Sequence, residues 1–208
     1  MSMARKRVAI LISGRGSNMA ALIDAARAPG YPAEIVLVVS NRRDAGGLQA
    51  AREKGIQTAT IDHKAYSSRE AFDAAIEQRL AKARIDIICL AGFMRMLTTP
   101  FVDHWRGRML NIHPSLLPDF KGLDTHARAL AAGVREHGCT VHFVAPELDS
   151  GPIILQAQVP VLEGDDEKSL AARVLAEEHR IYPEALKLLA EDKLKIEGDR
   201  VLFAGARH

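Results

Sequence analysis

Short runs of consecutive apolar residues recur along the first half of the chain. The runs at residues 7–12, 34–39 and 85–90 are typical of strands that are buried on both faces of a parallel sheet. A shorter strand is predicted at residues 57–61, and helices are predicted at 19–27, 46–54 and from Ser67 or Ser68 to about residue 83. This alternation of strands and helices predicts an α/β fold, with a mainly parallel central sheet, right-handed crossovers and helices on both faces.

The second half of the chain has a different pattern. A strand at residues 109–113 runs into a loop that is too rich in proline to continue as a helix. Strands at 139–144 and 152–161 are joined by a turn and form a predicted antiparallel pair, after a short helix at 126–132 that Thr125 is expected to cap. A long helical stretch at 165–189 should kink or break at Pro183, and a terminal hairpin is predicted from 193–196 and 200–203.

Length and composition indicate one globular domain of 208 residues. We expect two packed halves, an N-terminal half at about 1–98 and a C-terminal half at about 99–208. Hydrophobic residues make up 48% of the chain and the mean hydropathy is −0.05, which suits a protein with a sizeable core. No apolar run approaches the roughly 20 residues that cross a bilayer, and the basic start lacks the pattern of a signal peptide, so we expect a cytoplasmic protein.

Cysteine usage and charge give no support to several classes of function. Cys89 and Cys139 are single and far apart, so the sequence suggests neither a disulfide framework nor a four-ligand zinc site. The net charge is +2, with no dense block of lysine and arginine. Nothing in the chain therefore requires a nucleic-acid partner.

A glycine-containing turn follows the first predicted strand. Residues 13–18 read Ser-Gly-Arg-Gly-Ser-Asn and lead into a helix, where backbone N–H groups and the helix N-terminus can bind a phosphate. Met19 stands where the dinucleotide fingerprint has its third glycine, and the Lys-Ser/Thr ending of a P-loop is missing. If the turn binds phosphate, these differences favour a simple phosphate monoester over NAD or ATP, and a plain tight turn is the alternative.

The segment Asn-Ile-His-Pro-Ser-Leu-Leu-Pro at residues 111–118 carries the strongest candidate chemistry. In an extended strand Asn111 and His113 point to the same side, where they offer an amide donor and an imidazole that can carry a proton near neutral pH. Such a pair could stabilise the oxyanion that forms when a carbonyl carbon is attacked. Asp149, in the later turn, could orient the imidazole. The alternatives are a histidine packed in a loop and a solvated turn carboxylate.

The loop at residues 91–97 reads Ala-Gly-Phe-Met-Arg-Met-Leu and is unusually apolar for a loop. Its methionine and phenylalanine side chains could belong to the core. Beside a catalytic sheet edge they could instead form the wall of a pocket for a flat aromatic ligand.

Taken together, the motifs closely resemble those of the glycinamide ribonucleotide formyltransferases, the folate-dependent enzymes of purine biosynthesis. The matching stretches run in order over nearly the whole chain: Ile-Ser-Gly-Arg-Gly-Ser-Asn (12–18), Ser-Arg-Glu-Ala (68–71), Leu-Ala-Gly-Phe-Met-Arg-Met-Leu (90–97), Asn-Ile-His-Pro-Ser-Leu-Leu-Pro (111–118), Glu-Leu-Asp-Ser-Gly-Pro-Ile-Ile-Leu-Gln (147–156) and Glu-His-Arg-Ile-Tyr-Pro (178–183).

This resemblance implies a Rossmann-like formyltransferase fold and direct transfer of a formyl group from 10-formyltetrahydrofolate, as co-substrate, to the amine of glycinamide ribonucleotide. It implies no metal, no nucleic acid and no membrane, and the choice between monomer and homodimer stays open. It also implies three sets of site residues. The catalytic residues would be Asn111, His113 and Asp149. The nucleotide would contact Gly16, Ser17, Asn18, Leu175, Ala176, Glu177 and Glu178. The folate would contact Arg69, Met94, Arg95, Met96, Leu97, Asn111, Ala145, Pro146, Glu147, Leu148 and Asp149.

The chain departs from the family pattern at one position. After Gly122 and Leu123, the family commonly has two histidines that flank one residue, and here the first of them is Asp124 while His126 matches. An acidic group at this position could change how charge is shared around His113 and Asp149.

Other functions remain to be distinguished. A 10-formyltetrahydrofolate hydrolase would use the same three residues with water as acceptor, but would carry a regulatory domain before the strand that begins here at Arg7. Methionyl-tRNA formyltransferase would need a C-terminal extension after residue 208. A non-catalytic regulator would bind both ligands without turnover. A metal-dependent hydrolase using His113 and His126 lacks compact ligand spacing.

Overall fold

The computed structural model describes residues 4–204. Within this range the strands are β1 Lys6–Ile12, β2 Ala33–Ser40, β3 Gln57–Thr60, β4 Ile87–Leu90, β5 Met109–His113, β6 Glu136–Phe143, β7 Ile153–Pro160, β8 Leu194–Glu197 and β9 Arg200–Phe203. The α-helices are α1 Ser17–Ala26, α2 Gly46–Glu53, α3 Arg69–Lys82, α4 Thr99–His104, α5 Thr125–Ala131 and α6 Glu167–Ala190. A single 3₁₀ turn follows β3 at His63–Ala65.

The central sheet has seven strands in the order β3-β2-β1-β4-β5-β6-β7. Strands β1 to β5 are mutually parallel. Strand β6 is antiparallel to β5, and β7 is antiparallel to β6. This arrangement confirms the predicted α/β class with its antiparallel C-terminal portion. Strands β8 and β9 form the predicted separate hairpin. Strands β1, β2 and β4 read as apolar runs because both of their faces are largely buried.

Helices cover both faces of the sheet. On one face α1, α2, α5 and α6 enclose a core that contains Ile10, Leu110 and Val174, and on the other face α3 and α4 enclose a core around Leu11, Ile76 and Trp105. Successive residues of β1 therefore point to opposite faces of the sheet and pack into different cores. This sandwich holds the central strands rigidly and leaves their carboxyl ends free to carry loops.

Strands β1, β4 and β5 are adjacent, so their carboxyl ends meet at one edge of the sheet. The predicted phosphate turn, the apolar loop and Asn111 with His113 all lie there, as the parallel topology requires. Tyr182 of α6 braces this edge from one face. Its buried hydroxyl lies 2.8 Å from the carbonyl oxygen of Leu90, the last residue of β4, and 3.2 Å from that of Leu110, the residue before Asn111.

Helix α4 at Thr99–His104 has no counterpart among the sequence predictions, and three predicted details are wrong. Helix α6 continues through Pro183 without a break, because residues on both sides of the proline, such as Tyr182 and Leu186, pack into the core and hold the helix. Thr125 does not cap α5; the cap is Asp124 in a left-handed conformation, and the Thr125 hydroxyl instead donates to the Pro114 carbonyl at 2.7 Å. Strand β6 also begins at Glu136, three residues earlier than residue 139, because its pairing with β7 extends to Pro160.

No helix within residues 4–204 is both long and apolar enough to cross a membrane.

Candidate active site

Two cavities open at the carboxyl edge of the sheet and share one wall. The larger has a volume of about 550 Å³ and extends from Asn18 and Glu178 to His113. The smaller has a volume of about 110 Å³ and lies between the apolar loop at 91–97 and the loop at 144–149. Asn111 and Asp149 line both cavities, so these two residues stand where the cavities meet.

His113 is almost fully buried and both of its ring nitrogens face acceptors. Nε2 lies 3.0 Å from the Phe120 carbonyl oxygen, and Nδ1 lies 3.4 Å from Asp149 Oδ2. A carbonyl oxygen only accepts, so Nε2 carries a proton, and a proton on Nδ1 would satisfy the carboxylate as well. The surroundings of His113 therefore suit an imidazolium whose charge is balanced by Asp149.

Asp149 is held in an unusual conformation. Its φ is +48°, a left-handed conformation that aspartate tolerates better than most residues, and its carboxylate is only 8% exposed. Oδ2 also accepts a hydrogen bond of 2.9 Å from the backbone N–H of Gly122. Asp149 therefore fixes both the His113 ring and the loop that follows β5.

Asn111 is oriented by a residue that the sequence analysis did not single out, His142. The two residues face each other across β5 and β6, and Asn111 Nδ2 lies 3.1 Å from His142 Nε2. His142 Nδ1 lies 2.8 Å from the Phe143 carbonyl oxygen, so Nδ1 donates, and burial lowers the pKa of His142 and keeps the ring neutral. Nε2 is then an acceptor, which fixes the Asn111 amide with its NH₂ group toward His142.

The phosphate turn connects β1 to α1. Gly16 has a φ of +77° at the N-cap of α1, which glycine adopts without strain, and α1 begins at Ser17. Helix α2 supports the turn from behind, because Gly47 N–H donates to the Gly14 carbonyl at 3.0 Å. A Cβ atom at Gly47 would lie 2.5 Å from Ile12 Cδ1 and 3.1 Å from the Gly14 carbonyl oxygen, so a larger residue would require Ile12 and the turn to shift. The free N-terminus of α1 faces the edge at which the cavities lie and suits an anion.

Asn18 and Glu178 close the far end of the larger cavity. Asn18 Nδ2 donates to Glu178 Oε2 at 2.6 Å, and burial raises the pKa of Glu178. Asn18 Oδ1 is also buried and has no hydrogen-bond partner among residues 4–204. An acceptor amide oxygen and a carboxyl group beside the phosphate turn are suited to hydroxyl donors of a ligand.

The smaller cavity has apolar walls with a few polar groups. It is lined by Leu90, Phe93, Arg95, Met96, Leu97, Val102, Asn111, His142, Val144, Ala145, Pro146, Glu147, Leu148 and Asp149. Met96 and Leu148 are 45% and 51% exposed at its rim, and Met94, at the mouth of the larger cavity, is 64% exposed. Large apolar side chains exposed beside a cavity are typical of a binding site for a flat apolar ligand.

Some of the residues that the resemblance implied lie away from both cavities. Arg69 begins α3 and does not line either cavity. Leu175, Ala176 and Glu177 precede Glu178 on α6, but of these four residues only Glu178 lines a cavity, and Glu177 bonds to Arg180 at 2.6 Å. Asp124 lines the larger cavity and is exposed.

Phe93 lines both cavities, as the pocket-wall alternative for the apolar loop predicts. The sequence predictions do not include Phe120 or His142. Phe120 contacts His113 through its backbone carbonyl oxygen, and a backbone contact of this kind cannot be predicted from the identity of the side chain. A histidine inside the apolar run of β6 was the available signal for His142, since a buried polar side chain needs a partner.

Two further histidines lie next to each other at the site: His126 is half-buried and lines the larger cavity, and His137 is buried behind it. The rings of His126 and His137 are 5.3 Å apart and edge to face, and the ring of Phe120 lies 5.8 Å from that of His137. Burial lowers the pKa of His137 from 6.5 to about 4 and also lowers that of His126. The folded protein therefore holds these rings neutral.

Replacing His137 with glutamine should make stability less sensitive to acid. Between pH 6.5 and about 4 the unfolded chain protonates His137 while the folded chain does not, so the contribution of neutral His137 is fully present above pH 6.5 and is lost as pH falls. We expect the free energy of unfolding, measured in urea at pH 7.5 and 5, to drop less in His137→Gln than in the wild type. His104→Gln, at an exposed histidine, should match the wild type. Equal drops in wild type and His137→Gln would contradict this prediction.

Comparisons with known proteins are consistent with this arrangement. Residues 6–186 match the formyl transferase family. The chain is 47% identical over 200 residues to "Phosphoribosylglycinamide formyltransferase" of Escherichia coli, covering 96% of this chain and 94% of that protein. It is 53% identical over 192 residues to "Trifunctional purine biosynthetic protein adenosine-3" of Bos taurus, and there it covers 92% of this chain but spans only 19% of the relative.

Solved structures agree with the sequence relatives. The chain superposes with a TM-score of 0.93 and 51% identity on the crystal structure of glycinamide ribonucleotide transformylase 1 from Symbiobacterium toebii, over 96% of this chain and 94% of that one. The resemblance drawn from the motifs is thereby confirmed, and the chain belongs to the glycinamide ribonucleotide formyltransferases within the formyl transferase family.

Proposed function

We propose that this protein transfers the formyl group of 10-formyltetrahydrofolate to the amine of glycinamide ribonucleotide. The observation that supports this most directly is the position of Asn111 and Asp149 in the wall shared by the two cavities, with His113 beside them. A formyl donor in the smaller cavity and an amine in the larger one would meet at these side chains. Family membership supports the same pair of substrates.

The nucleotide is assigned to the larger cavity. Its phosphate lies at the turn of Gly16, Ser17 and Asn18, where backbone N–H groups and the N-terminus of α1 provide donors. The unpaired Asn18 Oδ1 and the Glu178 carboxyl group then accept hydrogen bonds from ribose hydroxyls. Leu175, Ala176 and Glu177 support Glu178 on the same helix.

The folate is assigned to the smaller cavity. Its pterin ring packs against the apolar side chains of Met96, Leu97 and Leu148, while Arg95 and the backbone of 145–149 supply polar contacts. Arg69, outside the cavity, remains a predicted contact for a distal part of the co-substrate. The formyl group then points to Asn111.

Transfer begins when the neutral amine attacks the formyl carbon. The C=O bond becomes a C–O⁻ bond as the new C–N bond forms, giving a tetrahedral intermediate. The Asn111 N–H that is not bonded to His142 and the His113 imidazolium donate to this oxyanion. Because Nδ1 faces Asp149, Nε2 is the nitrogen available for the substrate, and the formyl oxygen replaces the Phe120 carbonyl there.

The intermediate collapses with loss of tetrahydrofolate. The attacking nitrogen gives up a proton, the folate nitrogen gains one, and the bond between that nitrogen and the formyl carbon breaks. Asp149 keeps His113 charged and oriented through both steps. The side chain at Asp124 adds negative charge to the cavity that receives the amine, which attracts the substrate in its ammonium form; that ammonium must lose a proton before it attacks.

The test is formyl transfer from 10-formyltetrahydrofolate, followed spectroscopically with and without glycinamide ribonucleotide. We expect turnover only when the nucleotide is present, and no change when a chelator is added. Turnover without the nucleotide would identify a hydrolase and contradict the proposal. Binding of both ligands, measured separately by calorimetry, without turnover in the assay would identify a non-catalytic regulator and contradict the proposal.

A further inference from the structure

Ser13, the first residue of the phosphate turn, directly follows β1 and is bonded to the apolar loop of the folate cavity at two points. Its backbone N–H donates to the Gly92 carbonyl at 3.0 Å, and its hydroxyl oxygen accepts the backbone N–H of Met94 at 2.8 Å. Ser13 is only 5% exposed, so neither bond is shared with bulk solvent. A single residue thus joins the turn assigned to the phosphate to the loop assigned to the folate.

The hydroxyl of Ser13 has a fixed direction. It donates its proton to Asn41 Oδ1 at 2.5 Å, and Asn41, which follows β2, is 2% exposed. Since the proton points to Asn41, the remaining lone pairs of the oxygen face the Met94 N–H. Asn41 is in turn held at His63, whose Nδ1 lies 3.2 Å from the Asn41 carbonyl oxygen. The bond to Met94 therefore depends on groups at the ends of β1 and β2.

The phosphate turn cannot shift independently of Ser13. Gly14 follows Ser13 directly, and its carbonyl is bonded to Gly47 N–H. A Cβ built at Gly47 would lie 3.1 Å from the Gly14 carbonyl oxygen and 3.3 Å from that of Arg15, so α2 packs closely against the turn. A phosphate that orders the turn would therefore also order Ser13 and, through its hydroxyl, Met94.

From these contacts we propose that Ser13 is a positioning residue that couples binding of the nucleotide phosphate to binding of the folate. The inference rests on the proposed function, because it takes the two ligands from it. Each ligand orders one side of the Ser13 contacts, so the second ligand meets a loop that is already in place. The coupling factor is the ratio of one ligand's dissociation constant without the other ligand to its dissociation constant with it. This factor must be the same whichever ligand is added first.

The experiment measures this factor by calorimetry with glycinamide ribonucleotide and tetrahydrofolate, which lacks the formyl group and cannot react. In the full-length wild type each ligand should tighten the other by about fivefold or more. In Ser13→Ala the factor should fall to within about twofold of one, since the Met94 N–H loses its acceptor. Asn41→Ala, measured in parallel, leaves the Ser13 hydroxyl free to rotate and should also lower the factor, so the test stands if Ser13→Ala does not fold.

Asp73→Ala is the matched control. Asp73 Oδ2 accepts the backbone N–H of Thr98 at 2.7 Å, so it anchors the other end of the same loop without touching the phosphate turn. This variant should weaken tetrahydrofolate binding but keep the coupling factor. A purely structural role for Ser13 would weaken the binding of both ligands and leave the coupling factor at its wild-type value.

The outcomes separate the two proposals. If the wild type binds both ligands without coupling, or if Ser13→Ala and Asn41→Ala keep the wild-type factor, the inference about Ser13 is wrong and the proposed function stands. If the wild type binds neither ligand alone, the proposed function is wrong and the inference falls with it.

Discussion

Replacing His113 with alanine is expected to lower kcat for formyl transfer by about 10²- to 10⁴-fold, the range lost when a group that provides acid–base help is removed. His113 lines the larger cavity, where an imidazolium would bring a positive charge to the formyl oxygen. The residue is 5% exposed, and its ring nitrogens face Asp149 and the Phe120 carbonyl oxygen. Without the imidazole ring, the Asn111 amide is the remaining proposed hydrogen-bond donor to the oxyanion. The measurement is steady-state formyl transfer with saturating co-substrate.

His104→Ala is the control for this variant. His104 ends α4 on the surface, where its ring is 60% exposed and lies 3.5 Å from Glu77. It should retain wild-type kcat, which would show that loss of a histidine ring by itself does not reduce activity. Near-normal kcat in His113→Ala, with an unchanged far-ultraviolet circular dichroism spectrum, would remove His113 from the mechanism.

Asn111→Ala should lower kcat by about 10²- to 10³-fold, the typical effect of removing one oxyanion donor. The effect should appear in kcat more than in KM, because the free N–H of the Asn111 amide acts on charge that develops only in the transition state. The neutral His142 ring fixes that amide in the donating orientation. Single-turnover measurements would separate this chemical step from product release.

Gln158→Ala provides the matching control for the amide. Gln158 lies on β7, the edge strand of the sheet, and is exposed, so its loss removes an amide of similar chemistry outside the cavities. Its kcat should equal that of the wild type. A fall in Asn111→Ala that appears entirely as a higher KM would show that Asn111 only binds folate and does not stabilise the intermediate.

Much of the fold could be read from local pattern. The apolar runs of β1, β2 and β4 are long enough to bury both faces, and that property belongs to the segments themselves. Ser68 was named as one of two candidate caps of α3, and its hydroxyl accepts the Ala71 N–H at 3.1 Å. Capping by serine is decided within one turn of helix, which is why the sequence could predict it.

The failures of local pattern have a common cause. Pro183 was expected to interrupt α6, but the packing of Ile181, Tyr182 and Leu186 outweighs one missing backbone hydrogen bond. Thr125 was expected to cap α5, but its hydroxyl is bonded to Pro114, a residue of the preceding loop. In both cases a tertiary contact overrode a rule that holds for an isolated helix.

For the site, the sequence by itself determined the chemistry: an amide and an imidazole two residues apart on a strand, a turn suited to phosphate, and a methionine-rich apolar loop. Only the tertiary structure decided which groups orient them. His142 faces Asn111 through the register of β5 and β6, Asp149 reaches His113 from a turn 36 positions later, and Ser13 meets Met94 because β1 and β4 are neighbours. These pairings join residues that are far apart in the chain. They are set by the topology of the sheet, which cannot be inferred from the spacing of residues along the sequence.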